Sequence, residues 1–128
     1  MNTIQKLPDI LQQEWDNRKG VVIFTTVSGN SIPNAIFVTC VSLYEENKIL
    51  IANNYFDKTI ANIMRGSHGS ILFIITDDKA YQIKGTVEYA EKGSVFEDMK
   101  KWNPEQHPGH GVAIVNIEEV YSGAKKII

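Results

Sequence analysis

The sequence lacks the features that mark several protein classes. It has one cysteine, Cys40, so no intrachain disulfide can form, and we expect a reducing, cytoplasmic location. No apolar run approaches the ~18 residues that a membrane helix needs, and the first residues contain no apolar signal core. The 13 basic and 15 acidic side chains leave a formal charge of −2, with no basic run longer than two residues. This argues against nucleic acid or a membrane surface as the main partner.

The length and composition suit one globular domain over residues 1–128. The hydrophobic content is 43% and the charged content is 22%. A chain of this size buries roughly two-thirds of its unfolded surface, so it can form a real core without disulfides or structural metals.

Periodicity and turn residues predict a mainly β fold with short helices. Six strands with helices between them indicate a closed or nearly closed antiparallel barrel, whose first three strands form a meander. The predicted helices span residues 8–18, 57–65 and 94–102; the predicted strands span residues 21–27, 32–44, 48–53, 70–76, 80–91 and 112–117, with a tail to residue 128.

One predicted strand is apolar on both of its faces. Residues 36–43 alternate between two largely apolar sets of side chains. Such a strand needs cover outside the barrel as well as inside it. The short helices supply part of that cover, and a second copy of the chain could supply the rest.

The segment with the clearest chemical content links the third predicted strand to the second helix. The strand ends in Asn53 and Asn54, and the helix begins at Asp57, Lys58 and Thr59. Unpaired N–H groups, a lysine and a hydroxyl at a helix start make a compact phosphate site. The Gly-x4-Gly-Lys framework of a P-loop is missing. The same residues also fit an ordinary solvated helix start in which Asp57 is the N-cap.

Four segments in this order resemble the pyridoxamine 5′-phosphate oxidase-like, FMN-binding split-barrel family, in its small flavoprotein branch. The similarity covers roughly residues 20–124. The matching runs are Pro-Asn-Ala-Ile-Phe-Val-Thr-Cys at 33–40, Ile-Leu-Ile-Ala-Asn-Asn-Tyr-Phe-Asp-Lys-Thr-Ile-Ala-Asn-Ile at 49–63, Tyr-Gln-Ile-Lys-Gly-Thr-Val-Glu at 81–88 and Val-Ala-Ile-Val-Asn-Ile-Glu-Glu-Val-Tyr-Ser-Gly-Ala at 112–124.

The resemblance implies a six-stranded split barrel and a homodimer that holds two FMN molecules at the subunit interface. One strand runs along the isoalloxazine, the end of the next lies beside the ribityl chain, the following helix start holds the phosphate, and a glutamine reaches FMN from the partner. The corresponding residues are Phe37, Val38, Thr39 and Cys40 for the ring, Ala52, Asn53 and Asn54 for the ribityl chain, Lys58 and Thr59 for the phosphate, and Gln82 from the partner.

Two departures from the family pattern limit the inferred activity. The fuller oxidases have an arginine immediately before the phosphate lysine, where this chain has Asp57. The arginine- and histidine-containing motif that binds pyridoxal phosphate has no counterpart in residues 122–128. We therefore expect an FMN-dependent oxidoreductase or electron-transfer protein that is not a true pyridoxamine-phosphate oxidase.

Several alternatives remain open at this stage. The chain could be a non-catalytic flavin carrier, a split barrel for deazaflavin or haem, or an interaction module without a cofactor. Without a Gly-x-Gly-x-x-Gly fingerprint, NAD(P)H or a redox partner would bind only transiently. His107, His110 and His68 could form a metal site, but histidines in such loops are more often exposed, and no metal is expected. His107 and Trp102 could face the substrate or the flavin, and no catalytic residue is identified.

Overall fold

A computed structural model describes residues 2–128 and contains three helices and eight strands. The helices are α1 (Asp9–Asp16), α2 (Lys58–Met64) and α3 (Ser94–Trp102); the strands are β1 (Val22–Val27), β2 (Pro33–Val38), β3 (Val41–Tyr44), β4 (Lys48–Asn53), β5 (His68–Ile74), β6 (Ala80–Ala90), β7 (Gly111–Ser122) and β8 (Lys125–Lys126). No helix among these residues is long and apolar enough to cross a membrane. The cytoplasmic location stays a prediction.

All strands belong to one antiparallel sheet in the order β2-β1-β5-β6-β7-β4-β3, with β8 paired to β7. This half-barrel fits a split barrel and confirms the mainly β antiparallel prediction. The predicted count of six strands is wrong. The run 32–44 contains two strands, and the tail adds β8 after a turn in which Gly123 has a φ of 58°.

The division of the run 32–44 changes the topology as well as the count. The register of β2 with β1 ends at the pair Val22 and Val38, and a new register with β4 begins at the pair Val41 and Ile51. The chain therefore crosses at Thr39 and Cys40 from one edge of the sheet to the other. The predicted three-strand meander is wrong, because these strands form two hairpins at opposite edges.

The strands that are buried on both faces are β4 and β7. Nearly every residue of β4 and the first seven residues of β7 are buried. The main core covers one side of the sheet, and α3 covers the other through Met99, which packs with Leu50 and Val112. In the single chain, the residues of β2 alternate between exposed and half-buried, so the outer cover predicted for residues 36–43 does not come from this chain and stays a prediction for a second copy. Phe37 is 72% exposed.

Strand β6 shows the predicted alternation and adds an irregularity that sequence did not indicate. Its alternate residues Tyr81, Ile83, Val87 and Tyr89 all belong to the main core or pack against it. The pairing of β6 with β7 shifts register between Lys84 and Gly85, as in a β-bulge. A methyl group on Gly85 would overlap the backbone carbonyl of Asn116.

We predict that Gly85→Ala lowers the free energy of unfolding by roughly 3 kcal/mol, because the methyl group meets backbone and not a flexible side chain. Urea unfolding of this variant and of Gly29→Ala measures the effect. Gly29 is the matched control, since an added methyl group there approaches no atom closer than 3.8 Å. Equal stability of the two variants would contradict the close approach of β6 and β7.

Candidate functional site

The candidate site lies between edge strand β2 and the segment that runs from the end of β4 into α2. Two adjoining depressions follow these two segments. The first, which we call the aromatic cleft, has a volume of about 290 Å³ and is lined by Ile36, Phe37, Val38, Thr39, Cys40, Ala52, Asn54, Tyr55, Phe56 and His107. The second, the basic groove, has a volume of about 340 Å³ and is lined by Ser28, Ile32, Pro33, Asn34, Lys58, Ala61, Asn62 and Arg65.

The aromatic cleft brings together six of the ten predicted cofactor-binding residues. Four of them lie at the end of β2 and in the crossing that follows it, and two lie in or directly after β4. They are Phe37, Val38, Thr39, Cys40, Ala52 and Asn54. No Asp, Glu, Lys or Arg side chain lines this cleft. Its walls therefore suit a flat, uncharged group that can use backbone hydrogen bonds.

Two other predicted residues direct their side chains into the protein. Asn53 is 6% exposed; its Nδ2 donates to the Tyr89 hydroxyl at 2.8 Å, and its Oδ1 accepts from the Phe56 N–H at 3.0 Å. Thr59 is 2% exposed, and its hydroxyl oxygen accepts from Asn34 Nδ2 at 3.2 Å. Both side chains thus fix the shape of the site, and their backbone is what they can offer to a ligand.

In the hydrogen bond between Asn53 and Tyr89, the amide is the donor and the phenol oxygen is the acceptor. Desolvation raises the pKa of the Tyr89 phenol above its usual value; the hydrogen bond from Asn53 opposes this shift, and the charge of Glu91 adds to it. The phenol therefore stays protonated at neutral pH, and its oxygen accepts from the Asn53 amide. This contact ties the end of β4 to β6.

Lys58 lies in the basic groove together with Arg65, which sequence reasoning missed. Both side chains are exposed, and neither forms an ion pair within residues 2–128. They are seven residues apart, about two helical turns, so they lie on the same side of α2. That spacing was readable in the sequence. Asp57 occupies the N-cap position, as expected, but its side chain makes no capping hydrogen bond.

Gln82 lies outside both depressions of its own chain. It occupies a row across the outer face of the sheet, where Phe37 pairs with Ile23, Ile23 with Leu72, and Leu72 with Gln82. Three strand spacings of ~4.8 Å separate Phe37 from Gln82 by about 14 Å. Contact between Gln82 and a ligand in the cleft would therefore have to come from a second chain.

The loop between α3 and β7 forms one rim of the aromatic cleft. Asn54 and Asn103 exchange two side-chain hydrogen bonds of 3.0 and 2.9 Å, and the Gly109 N–H donates to Asn54 Oδ1 at 3.0 Å. These contacts bring His107 to the cleft, where its Nδ1 lies 3.0 Å from the Tyr55 hydroxyl. The sequence points to His107 as a residue that could face the substrate, but nothing in it indicates the pairing with Tyr55.

The three histidines do not gather into one site. His107 lines the aromatic cleft, whereas His68 lines a separate depression with Gln82 and Lys84 on the outer face of the sheet. Within residues 2–128, no group of three His, Cys, Asp or Glu side chains is arranged to hold a metal ion. Trp102 packs near Met99 and donates its indole N–H to Asp98 at 3.1 Å.

Comparisons with known proteins agree with this architecture. An uncharacterised protein of Methanocaldococcus jannaschii is 27% identical over 94% of this chain and 83% of its own length. The crystal structure of HupZ from Group A Streptococcus superposes with a TM-score of 0.78 at 21% identity, covering 91% of this chain and 93% of that one. An FMN-binding protein from Syntrophomonas wolfei gives a TM-score of 0.69 at 20% identity, covering 78% and 74%.

The family assignment comes from a match over almost the whole chain. Residues 10–122 match the family model described as pyridoxamine 5′-phosphate oxidase. This range includes the two depressions, the eight-residue run that begins β2 and the start of α2. The chain belongs to the pyridoxamine 5′-phosphate oxidase family.

Proposed function

We propose that this protein binds FMN along edge strand β2, with the isoalloxazine in the aromatic cleft and the phosphate in the basic groove. The observation that supports this most directly is that the two depressions along β2 differ in charge. The cleft has no charged side chain, while the groove beside it holds Lys58 and Arg65. From Asn34 to Val38 the strand rises by about 13 Å. That distance leaves room for a ribityl chain between the two ends.

The basic groove fits a phosphate dianion in its donor set. Lys58 and Arg65 supply the positive charge, and the first turn of α2 supplies free backbone N–H groups. The hydroxyl of Thr59 is already bonded to Asn34, so Thr59 contributes its backbone N–H. Asp57 adds a negative charge nearby. Arg65 offsets that charge, in place of the arginine that precedes the lysine in the fuller oxidases.

The aromatic cleft fits the flavin ring. Residues Phe37 to Cys40 give one wall of strand backbone, and Ala52 and Asn54, which the resemblance assigned to the ribityl chain, lie on the facing wall of the same cleft. FMN, when bound, supplies the hydride or electron chemistry. The chain supplies position, an uncharged surrounding and access, since the cleft opens at Tyr55, which is 73% exposed.

We also propose that the protein acts as a homodimer across the outer face of the sheet. This face exposes Val21, Leu72 and Ile74 beside Phe37, in the same region as the row that ends in Gln82. Burial of such side chains against a second copy is favourable at ~25 cal/mol per Å². The same contact would bring Gln82 of the partner toward FMN, which its own chain cannot do.

The proposed activity is that of an FMN-dependent oxidoreductase or electron-transfer protein of the cytoplasm. NAD(P)H or a redox partner would then bind transiently. The absorption spectrum tests the cofactor, because flavin, deazaflavin and haem absorb at different wavelengths. A flavin that dithionite reduces but that no donor or acceptor turns over would instead identify a carrier. A colourless protein that FMN does not stabilise would identify an interaction module.

We predict that Lys58→Ala weakens FMN binding by about 1.5–3 kcal/mol, the range for a hydrogen bond to a charged group. Titration of the apoprotein, followed by flavin fluorescence, measures the loss. Riboflavin, which lacks the phosphate, is the matched ligand and should bind the variant and the original protein equally. Lys101→Ala, a lysine on the exposed side of α3, is the matched variant and should leave FMN affinity unchanged. Unchanged FMN affinity in Lys58→Ala would place the phosphate elsewhere.

A second prediction concerns the outer face. Leu72→Glu puts a charge in the centre of the apolar row, so it should convert the dimer to a monomer and abolish tight FMN binding. Sedimentation equilibrium and FMN titration measure the two effects. Ile10→Glu is the control, because Ile10 is 62% exposed on α1, away from this face. A Leu72→Glu monomer that binds FMN with full affinity would show that one chain suffices for the site.

A further inference from the structure

The aromatic cleft has a hydrogen-bonded pair at its mouth that flavin binding does not explain. The Tyr55 hydroxyl lies 3.0 Å from His107 Nδ1, and the two rings meet edge to face with centroids 5.6 Å apart and an interplanar angle of 86°. Tyr55 is an exposed aromatic residue that gains little from burial where it lies. Burial therefore does not explain its contact with His107.

The partner in this pair is held by its own loop. The backbone N–H of His107 donates to the Pro104 carbonyl at 3.0 Å, and Lys100 Nζ donates to the Pro108 carbonyl at 3.1 Å. Further along, the Gly109 N–H donates to the buried amide of Asn54. His107 is therefore positioned from both sides before any ligand arrives. Preorganised polar groups of this kind lower the cost of binding and of proton transfer.

The surroundings of the pair define the class of ligand. Beside the pair, at the end of the cleft away from the ring wall of β2, Tyr55 and Phe56 present aromatic surface. The absence of charged side chains from the cleft lining disfavours a phosphorylated or carboxylated molecule, whose charge would lose hydration without gaining a partner. A flat, neutral molecule with a hydrogen-bond acceptor satisfies all of these contacts.

We propose that the open end of the aromatic cleft is the site of a neutral aromatic carbonyl acceptor of the quinone class. In this site the Tyr55–His107 pair donates a hydrogen bond, and then a proton, to the carbonyl oxygen. The proposal rests on the proposed function, because it places the acceptor beside bound flavin. It names the substrate class and assigns His107 as the acid of the reaction.

The step balances as a two-electron reduction. FMN, when bound and reduced, would supply the hydride that adds to one quinone oxygen and would itself be oxidised. A proton passes from His107 Nε2 to the other quinone oxygen, while Nδ1 takes the proton of the Tyr55 hydroxyl. The phenolate then takes a proton from water, which the exposure of Tyr55 permits. A neutral histidine thus acts as an acid without leaving a charge on its ring.

Binding is the first test, and it does not depend on turnover. We expect menadione, added to the FMN-loaded oxidised protein, to shift the ring nitrogen resonances of His107 in an NMR spectrum. Those of His110, which is exposed and does not line the cleft, should stay unchanged. In Tyr55→Phe the His107 signal should already differ before menadione is added. A His107 signal that does not respond to menadione in the original protein overturns the proposal.

The second test compares two electron acceptors in stopped-flow reoxidation of the dithionite-reduced protein. Menadione reduced by hydride transfer needs one proton to complete the hydroquinone, whereas ferricyanide takes single electrons and no proton. We expect Tyr55→Phe and His107→Gln to slow the menadione reaction by about tenfold or more, which is less than the full range for general acid catalysis. Both variants should react with ferricyanide at the original rate.

His110→Gln is the matched control, because His110 is an exposed histidine on the same loop and does not line the cleft. Equal slowing by all three variants, or slowing with both acceptors, would reduce the pair to a structural role and overturn the proposal. The FMN affinity of each variant separates the two hypotheses. If the original protein does not bind FMN, the proposed function is refuted. If FMN binds normally and both Tyr55→Phe and His107→Gln react with menadione at the original rate, only this inference is refuted.

Discussion

The crossing of the chain at Thr39 and Cys40 is the constraint on which the rest of the site depends. Because β2 ends its pairing with β1 and β3 begins pairing with β4, the two edges of the sheet are joined by two residues. The Val41 N–H bonds back to the Thr39 carbonyl at 3.1 Å, and the Ala52 N–H bonds to the Cys40 carbonyl at 3.0 Å. Among residues 2–128 the second edge of β2 therefore pairs with no strand, and the aromatic cleft lies beside it.

Buried amides stabilise the side of the aromatic cleft that faces β2. Asn53 connects the end of β4 to β6 and to the loop before α2, while Asn54 connects it to the residues before β7. Each amide uses its side chain inside the protein. Buried polar groups that are fully bonded restrict the backbone to one conformation. Asn53 thus shapes the site without lining it, whereas its neighbour Asn54 both holds the loop and lines the aromatic cleft.

The sequence predicted the helices and strands well where local periodicity decides them, as in α3 and β6. The sequence did not predict the features that depend on contacts between residues far apart in the chain. Nothing in the apolar run 32–44 indicates a crossing, because Thr39 and Cys40 are neither turn formers nor breakers of the alternation. The bulge at Gly85 depends on the position of the Asn116 carbonyl in another strand. In the same way, the pairing of Tyr55 with His107 joins residues 52 positions apart through a loop of no regular structure.

The central claim is that one path along β2 holds a flavin nucleotide with its uncharged ring and its phosphate at opposite ends. A crystal structure of the protein with FMN tests it most directly. We expect the ring against Phe37 to Cys40, the phosphate between Lys58 and Arg65, and Gln82 of a second copy beside the flavin. A phosphate bound away from both cations, with Lys58 and Arg65 facing only solvent, would contradict it.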